Sequence, residues 1–241
     1  MSTAAPTLTG AAPSRSAGRA ALRDVLPVGL AVAPFGLVVG MTISEVGVPP
    51  IASHVSSLLL FSGSAQLAVL LLLDGGAGLA TVVVTAAVVS ARFVVYGAAL
   101  APHFQQQARW FRWFGPHLLI DQTFGLITAR GDLTEPTRFR RYWLTAGSAI
   151  GALWLTATVA GSLLSAVLPA GSPLEVATPA LFVGMLVPRL SDRRAAGTAV
   201  AATVLVLLLR WLPGGVGLPL AIVGAMVTGV AAFDRRPEDP S

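Results

Sequence analysis

Cysteine and lysine are both absent from this chain of 241 residues, and charged residues make up only 11% of it. Without cysteine the protein cannot form a disulfide, a thiolate metal site or a cysteine nucleophile. A soluble domain carries about a quarter charged residues, so this chain has too few charges to cover a water-facing surface. Because 54% of its residues are hydrophobic and the mean hydropathy is +0.76, the composition predicts a polytopic membrane protein.

The sixteen basic residues are all arginines, and the net charge is +5. A basic chain can bind nucleic acid when its cations share one face, but these arginines lie between apolar runs, so we expect no nucleic-acid partner. The sequence also lacks a nucleophile motif, a phosphate-binding loop and a pair of catalytic carboxylates. Its three isolated histidines make a poor metal set. We therefore expect no enzyme activity and no cofactor.

The chain divides into one membrane domain and two short tails. Residues 1–23 are rich in Ala, Ser, Thr and Pro and contain no apolar run, which predicts a disordered cytoplasmic tail. Residues 24–234 are predicted to form a single transmembrane domain, and residues 235–241 a second cytoplasmic tail. The first apolar run, Val25–Ile43, follows basic residues as a signal peptide would, but its length and the runs after it favour a retained helix.

Eight apolar runs are candidates to cross the bilayer, which takes about 20 apolar residues per helix. In chain order they are Val25–Ile43, Val55–Leu73, Ala77–Leu100, Phe114–Ala129, Tyr142–Leu168, Val176–Val187, Ala195–Leu209 and Val216–Phe233. The fourth, sixth and seventh runs are short, so a re-entrant or interrupted path is an alternative for them, and seven crossings are an alternative to eight. The prediction is an all-α polytopic membrane helix bundle with about eight transmembrane segments and broken helices.

The positions of the arginines orient these spans. If the N-terminus is cytoplasmic, twelve arginines fall in inner segments and three in outer loops, while the sixteenth, Arg92, lies inside the third span. Cytoplasmic loops of membrane proteins carry an excess of basic residues. The bias therefore predicts that both termini are cytoplasmic.

In this topology four spans bring polar groups or helix breakers to one depth. Arg92 and Asp121, on the third and fourth spans, lie roughly 10–12 Å below the outer face at 1.5 Å per residue. The stretch Ser62–Gln66 on the second span and Pro34 on the first lie roughly 12–16 Å deep. An intramembrane arginine costs at least about 2.5–3.5 kcal/mol unless it is paired or hydrated. We therefore expect Arg92 and Asp121 to approach each other.

Two interpretations of this polar level stay open: a structural ion pair that joins two helices, and a polar binding site inside the bundle. Transporters build midplane sites from broken helices whose freed backbone groups face the substrate. We expect the second span to break at Ser62–Gln66, with the Gln66 amide turned toward a zwitterion. The predicted substrate-binding residues are Pro34, Phe35, Gly36, Phe61, Gly63, Ser64, Ala65, Gln66, Arg92, Tyr96, Asp121, Gln122 and Thr123.

Five segments of the chain resemble the AzlC family, the large subunit of bacterial branched-chain amino-acid exporters. They are PVGLAVAPFGLVVG (27–40), FSGSAQLAVLLLLDGGAG (61–78), SARFVVYGAALAPHF (90–104), LLIDQTFGLITAR (118–130) and TPALFVGMLVPRL (178–190). The resemblance implies export of valine, leucine, isoleucine or methionine across the bacterial inner membrane, with a small AzlD-like membrane subunit as partner. The chain departs from the family at Phe93, where a histidine is common, and at Gln122, where a glutamate is common.

The leading functional hypothesis is a secondary transporter, and the alternative is an accessory or scaffold membrane subunit with no transport pathway of its own. The polar level favours the transporter, since a scaffold would not need it. An inverted repeat is a further hypothesis. Residues 33–41 and 178–186 share a proline and a later Val-Gly pair on spans that run in opposite directions in the predicted topology.

Overall fold

The structure is a computed structural model that describes residues 14–46, 49–167, 193–212 and 215–234. All the secondary structure within these ranges is helical, which confirms the predicted class. In chain order the elements are α1 (Ser14–Glu45), α2 (Pro50–Leu60), α3 (Gly63–Asp74), α4 (Leu79–Ser90), α5 (Arg92–Gln105), α6 (Arg109–Phe114), a 3-10 helix (Gly115–Leu118), α7 (Asp121–Thr128), α8 (Pro136–Val167), α9 (Arg193–Leu209) and α10 (Gly217–Asp234).

Three helical stretches in the described part of the chain are long and apolar enough to cross a membrane. They are Ser16–Glu45 in α1, Leu79–Gln105 across α4 and α5, and Pro136–Val167 in α8. The remaining apolar helices are shorter, between 10 and 17 residues. The predicted sixth span, and with it the second copy of the inverted repeat, lies outside the described residues.

Helices α1 and α8 pack against each other along most of their length and form the framework of the molecule. The contacts between them follow the same order along both helices. Gly18 lies next to Thr145, and Gly36 lies next to Ala157. Near the C-terminal ends of the two helices, the Ser44 hydroxyl donates to the carbonyl of Ser162 at 3.1 Å. The two helices are therefore parallel. This arrangement agrees with the predicted topology, in which the first and fifth spans run in one direction.

Glycines allow α1 and α8 to approach at backbone distance. A Cβ atom on Gly40 would overlap the main chain of Thr158, and one on Gly161 would overlap the main chain of Leu37. Small residues serve this purpose in membrane bundles, where close van der Waals packing takes the place of the hydrophobic effect. The pair is therefore held by contacts that any larger side chain would break.

The first turns of α1 correct one expectation from the sequence. Residues 14–23, which composition assigned to a disordered tail, are helical. Ala17 and Ala21 are buried in the same core cluster as Phe139 and Tyr142 of α8. Residues four apart share a helix face, so two small side chains let the start of α1 lie against α8. Composition alone could not predict this tertiary contact.

The second predicted span is broken into two half-helices. Helix α2 ends at Leu60 and α3 begins at Gly63, so the break lies at Phe61–Ser62. The expected break at Ser62–Gln66 is confirmed at its first residue only, because the residues from Gly63 onward form the first turn of α3. Ser62 is extended, with φ −142° and ψ 100°.

The fourth predicted span is interrupted as well. Helix α6 continues into the 3-10 helix, and Leu119 and Ile120 then adopt extended backbone conformations before α7 begins at Asp121. The third span is nearly continuous, with a single turn residue, Ala91, between α4 and α5. Near the C-terminal end, α9 and α10 form an antiparallel hairpin in which Gly224 lies against Leu205 and Gly229 against Thr198.

We predict that Gly161→Ala destabilises the protein, because the new methyl group would collide with the Leu37 carbonyl on α1. Overpacking of this kind costs about 1–3 kcal/mol, so the apparent unfolding temperature in detergent should fall by several degrees. The matched control is Gly197→Ala on α9, where a Cβ meets open space. Equal unfolding temperatures for the two variants would show that the α1–α8 contact is looser than described.

Candidate functional site

A cavity of about 270 Å³ lies where the broken helices meet the α1–α8 framework. One ion pair and a few small polar groups face it, and the remaining lining is aliphatic or aromatic. The lining residues are Val32, Phe35, Phe61, Ser62, Gly63, Ser64, Arg92, Phe93, Ile120, Asp121, Gln122, Ile150 and Trp154. Ligand sites have this composition: mostly apolar walls with a small number of placed polar groups.

Arg92 and Asp121 form an ion pair at the cavity, as their matched depth predicted. Arg92 Nη2 lies 3.0 Å from Asp121 Oδ2, and the same nitrogen donates to the Ser64 hydroxyl at 2.7 Å. The two charged side chains are 31% and 40% exposed. The pair is thus open to the cavity space and is not sealed between two helices.

Tyr96 supports the carboxylate from the next turn of α5. Its hydroxyl donates to Asp121 Oδ1 at 3.0 Å. Its ring stacks on Phe124 of α7 at 4.2 Å between centroids, with 9° between the ring planes. Tyr96 does not line the cavity, so its placement is that of a residue that positions Asp121.

The N-termini of two helices meet at the cavity, α3 at Gly63 and α7 at Asp121. The first amides of a helix have no acceptor within the helix, and the N-terminus carries a partial positive charge. Asp121 is the first residue of α7, where a carboxylate is favoured by that charge. Thr123 caps the same turn, since its hydroxyl accepts from the Ile120 amide at 3.0 Å and donates to the Leu118 carbonyl at 2.7 Å.

Phe61 closes α2 in a left-handed backbone conformation, with φ 43° and ψ 36°. Within the described residues no other residue except glycine has a positive φ. Such conformations are uncommon for residues with bulky side chains, and they concentrate at functional sites. The strained residue places its ring in the cavity wall and against Gly151 of α8, where a Cβ would lie 2.9 Å from the ring.

Gln66 does not occupy the position that the sequence suggested. Its side chain is 1% exposed and is absent from the cavity lining. Its Nε2 atom donates to the Ser53 carbonyl at 3.0 Å and to the Ser57 hydroxyl at 2.6 Å. The amide therefore joins α3 to α2 on either side of the break and does not face a ligand.

Other candidates also lie behind the lining. Pro34, Gly36 and Ala65 are outside it, and Gly36 serves the packing of α1 against α8. Of the thirteen predicted residues, the cavity brings together Phe35, Phe61, Gly63, Ser64, Arg92, Asp121 and Gln122.

Trp154 is the main residue that sequence reasoning missed. It lies on α8, its ring centroid is 5.4 Å from that of Phe35, and it lines the cavity together with its α8 neighbour Ile150. Gly63 makes room for it, because a Cβ there would overlap the indole ring. A signal was present in the sequence: the indole N–H of a tryptophan in the middle of a span finds no acceptor in hydrocarbon.

A second polar cluster joins α1, α8 and the α7–α8 loop away from the cavity. Arg130 Nε donates to Asp24 Oδ2 at 2.7 Å, and the Tyr142 hydroxyl donates to the same oxygen at 2.7 Å. The hydrogen bond that Arg130 donates to Asp24 raises the pKa of Arg130, although burial acts in the opposite direction. This cluster fastens the loop after α7 to the framework, so the half-helix that carries Asp121 is anchored at its other end.

A family model described as AzlC protein matches residues 27–168, which is more than half of the chain and includes every residue of the cavity lining. Comparisons with curated proteins and with solved structures gave no match. Family membership indicates a membrane protein of the branched-chain amino-acid export system. The chain belongs to the AzlC family.

Proposed function

We propose that the protein is a secondary transporter that exports valine, leucine, isoleucine and methionine across the bacterial inner membrane. It would act as the large subunit of a pair with a small AzlD-like membrane partner. One observation carries the proposal: a small cavity that contains the Arg92–Asp121 pair lies between the ends of two half-helices. Transporters of other families build their midplane sites from interrupted helices in the same way.

The polar end of an amino acid fits the charged side of the cavity. A zwitterion inside the membrane needs donors for its carboxylate and acceptors for its ammonium, or it pays the full desolvation cost. Arg92 and the free amides at the start of α3 can donate to the carboxylate. Asp121 can accept from the ammonium once a substrate competes with Arg92 for it.

The apolar end of the substrate fits the opposite wall. Phe35, Phe61 and Trp154 present ring surfaces, and Val32 and Ile150 add aliphatic ones. A cavity of about 270 Å³ is at the small end of ligand sites. A pocket of this kind discriminates by only about 1–3 kcal/mol per methylene, so we expect several aliphatic amino acids of similar size to be carried.

We predict that vesicles containing the protein and its small partner export radiolabelled valine, and that Arg92→Ala lowers the initial rate by about tenfold or more. The substitution leaves the Asp121 carboxylate without its partner. Arg92→Lys should restore only part of the rate, since lysine lacks the planar guanidinium. Arg109→Ala, at an exposed arginine outside the cavity, is the control and should export at the parental rate.

Parental export by Arg92→Ala at normal expression would contradict the proposed site. Export that requires only the partner, with no contribution from this chain's cavity residues, would favour the scaffold alternative.

We further predict that Gly63→Ala lowers valine export at least severalfold while Gly125→Ala does not. A methyl group on Gly63 would lie 2.8 Å from Phe35 Cε1 and 2.9 Å from Trp154 Cζ2, so these two rings, which line the cavity, must shift. Gly125 is in the middle of α7, where a Cβ meets open space, and alanine there should favour the helix by about 0.5–1 kcal/mol. Equal export by both variants would mean that the ring positions around Gly63 do not matter for transport.

A further inference from the structure

Within the described part of the chain, three buried polar atoms on residues that line the cavity have no hydrogen-bond partner. They are the Ser62 hydroxyl, the Arg92 Nε and the Trp154 Nε1. Ser62 is 4% exposed and Trp154 is 8% exposed. Buried polar groups in native proteins are normally hydrogen-bonded, so three unsatisfied ones around one cavity indicate a ligand or ordered water that would complete them.

All three groups can donate a hydrogen bond, and two can do nothing else. The indole N–H and the guanidinium Nε–H are donors without acceptor capacity, while a serine hydroxyl can also donate. The first amides of α3, at Gly63 and Ser64, add donors with no acceptor inside the helix. The cavity therefore has a surplus of donors, and its complement is a group with several acceptor lone pairs.

The charged acceptor at the cavity, by contrast, already has partners. Asp121 contributes the only carboxylate among the lining residues that the structure describes. Its Oδ2 lies against Arg92, and its Oδ1 accepts from the Tyr96 hydroxyl. An incoming ammonium must therefore share oxygens that are already engaged, while an incoming carboxylate meets donors that are free.

We propose that the carboxylate is the main recognition element of this site and that the ammonium contributes little to affinity. The ligand class is then a monocarboxylate with a short branched aliphatic chain, with or without an amino group, and it includes 2-oxo acids of the same carbon skeleton. Ser62, Arg92 Nε, Trp154 Nε1 and the start of α3 bind the carboxylate. This inference rests on the proposed function for the location of the site and extends the range of its substrates.

The test compares two halves of leucine on the purified full-length protein in nanodiscs, by isothermal titration calorimetry. The probe 4-methylpentanoate is leucine without its ammonium, and 3-methylbutan-1-amine is leucine without its carboxylate. We expect the acid to bind with a Kd within about tenfold of that of leucine. The amine should bind at least about 100-fold more weakly, because a hydrogen bond to a charged group is worth one or two factors of ten in affinity.

Two variants identify the donors. Trp154→Phe keeps a ring in the wall and removes the N–H, and Ser62→Ala removes the hydroxyl without altering the rings. Each should weaken binding of 4-methylpentanoate about tenfold. Trp110→Phe, at a tryptophan that is 53% exposed and outside the cavity, is the control and should bind the acid like the parent protein.

Amine binding as tight as acid binding would overturn the inference, as would unchanged acid affinity in both variants or no binding of the acid at all. The last two results would mean that water alone satisfies the three donors. Acid binding that depends on Trp154, in a protein that does not export valine or leucine, would support the carboxylate site and refute the proposed function. If the protein exports leucine and the amine inhibits this export as strongly as the acid does, the proposed function is supported and the carboxylate site is refuted.

Discussion

Polar groups inside a bilayer must find their partners within the protein, and this constraint governs the centre of the molecule. Two interruptions of the helices, at Phe61–Ser62 and at Leu119–Ile120, leave helix-terminal amides without intrahelical acceptors. The Thr123 hydroxyl satisfies one such amide, that of Ile120, by accepting from it. Gln66 contributes differently, because its amide donates across the break to the Ser53 carbonyl and the Ser57 hydroxyl of α2. Among the described residues, three whose buried polar atoms stay unsatisfied, Ser62, Arg92 and Trp154, line one cavity.

The division between rigid and broken helices suits a transporter. Helices α1 and α8 lie in backbone contact at Gly40 and Gly161, which leaves little freedom for one to slide past the other. The half-helix α3 packs on this framework through Leu70, which is buried in a core cluster with Val39 and Ile43 of α1, and the loop after α7 is joined to α1 by the Asp24–Arg130 pair. The closely packed α1–α8 pair can hold binding groups in place. Short half-helices are elements that can shift around a fixed site.

The sequence could predict how deep in the membrane each polar residue of the site lies. The predicted depths placed Arg92 level with Asp121, and the two side chains do form an ion pair. The glycine and serines of Ser62–Gln66, which are weak helix formers, also predicted a break in the second span, and the observed break shares Ser62 with that stretch. Depth does not specify the direction in which a side chain points around the helix axis. For that reason Gln66 was assigned to the substrate although it contacts α2.

Contacts between distant helices were beyond what the sequence could show. Trp154 reaches the cavity because α8 lies parallel to α1 and opposite the break at Ser62, an arrangement that no local pattern encodes. The helical residues 14–23 were missed for the same reason, since Ala17 and Ala21 are buried only through α8. In both cases tertiary packing overrode the local signal that composition provides.

The absence of native cysteine makes the central claim directly measurable. A Gln122→Cys variant would place one thiol in the cavity wall, at the start of α7, where the helix N-terminus favours the reactive thiolate. The account predicts that a water-soluble methanethiosulfonate reagent modifies this thiol and that leucine slows the modification at least severalfold. Gln106→Cys, at an exposed glutamine in the turn after α5 and outside the cavity, should be modified at a rate that leucine does not change. Equal modification rates for Gln122→Cys with and without leucine would contradict the claim that the cavity is the substrate site.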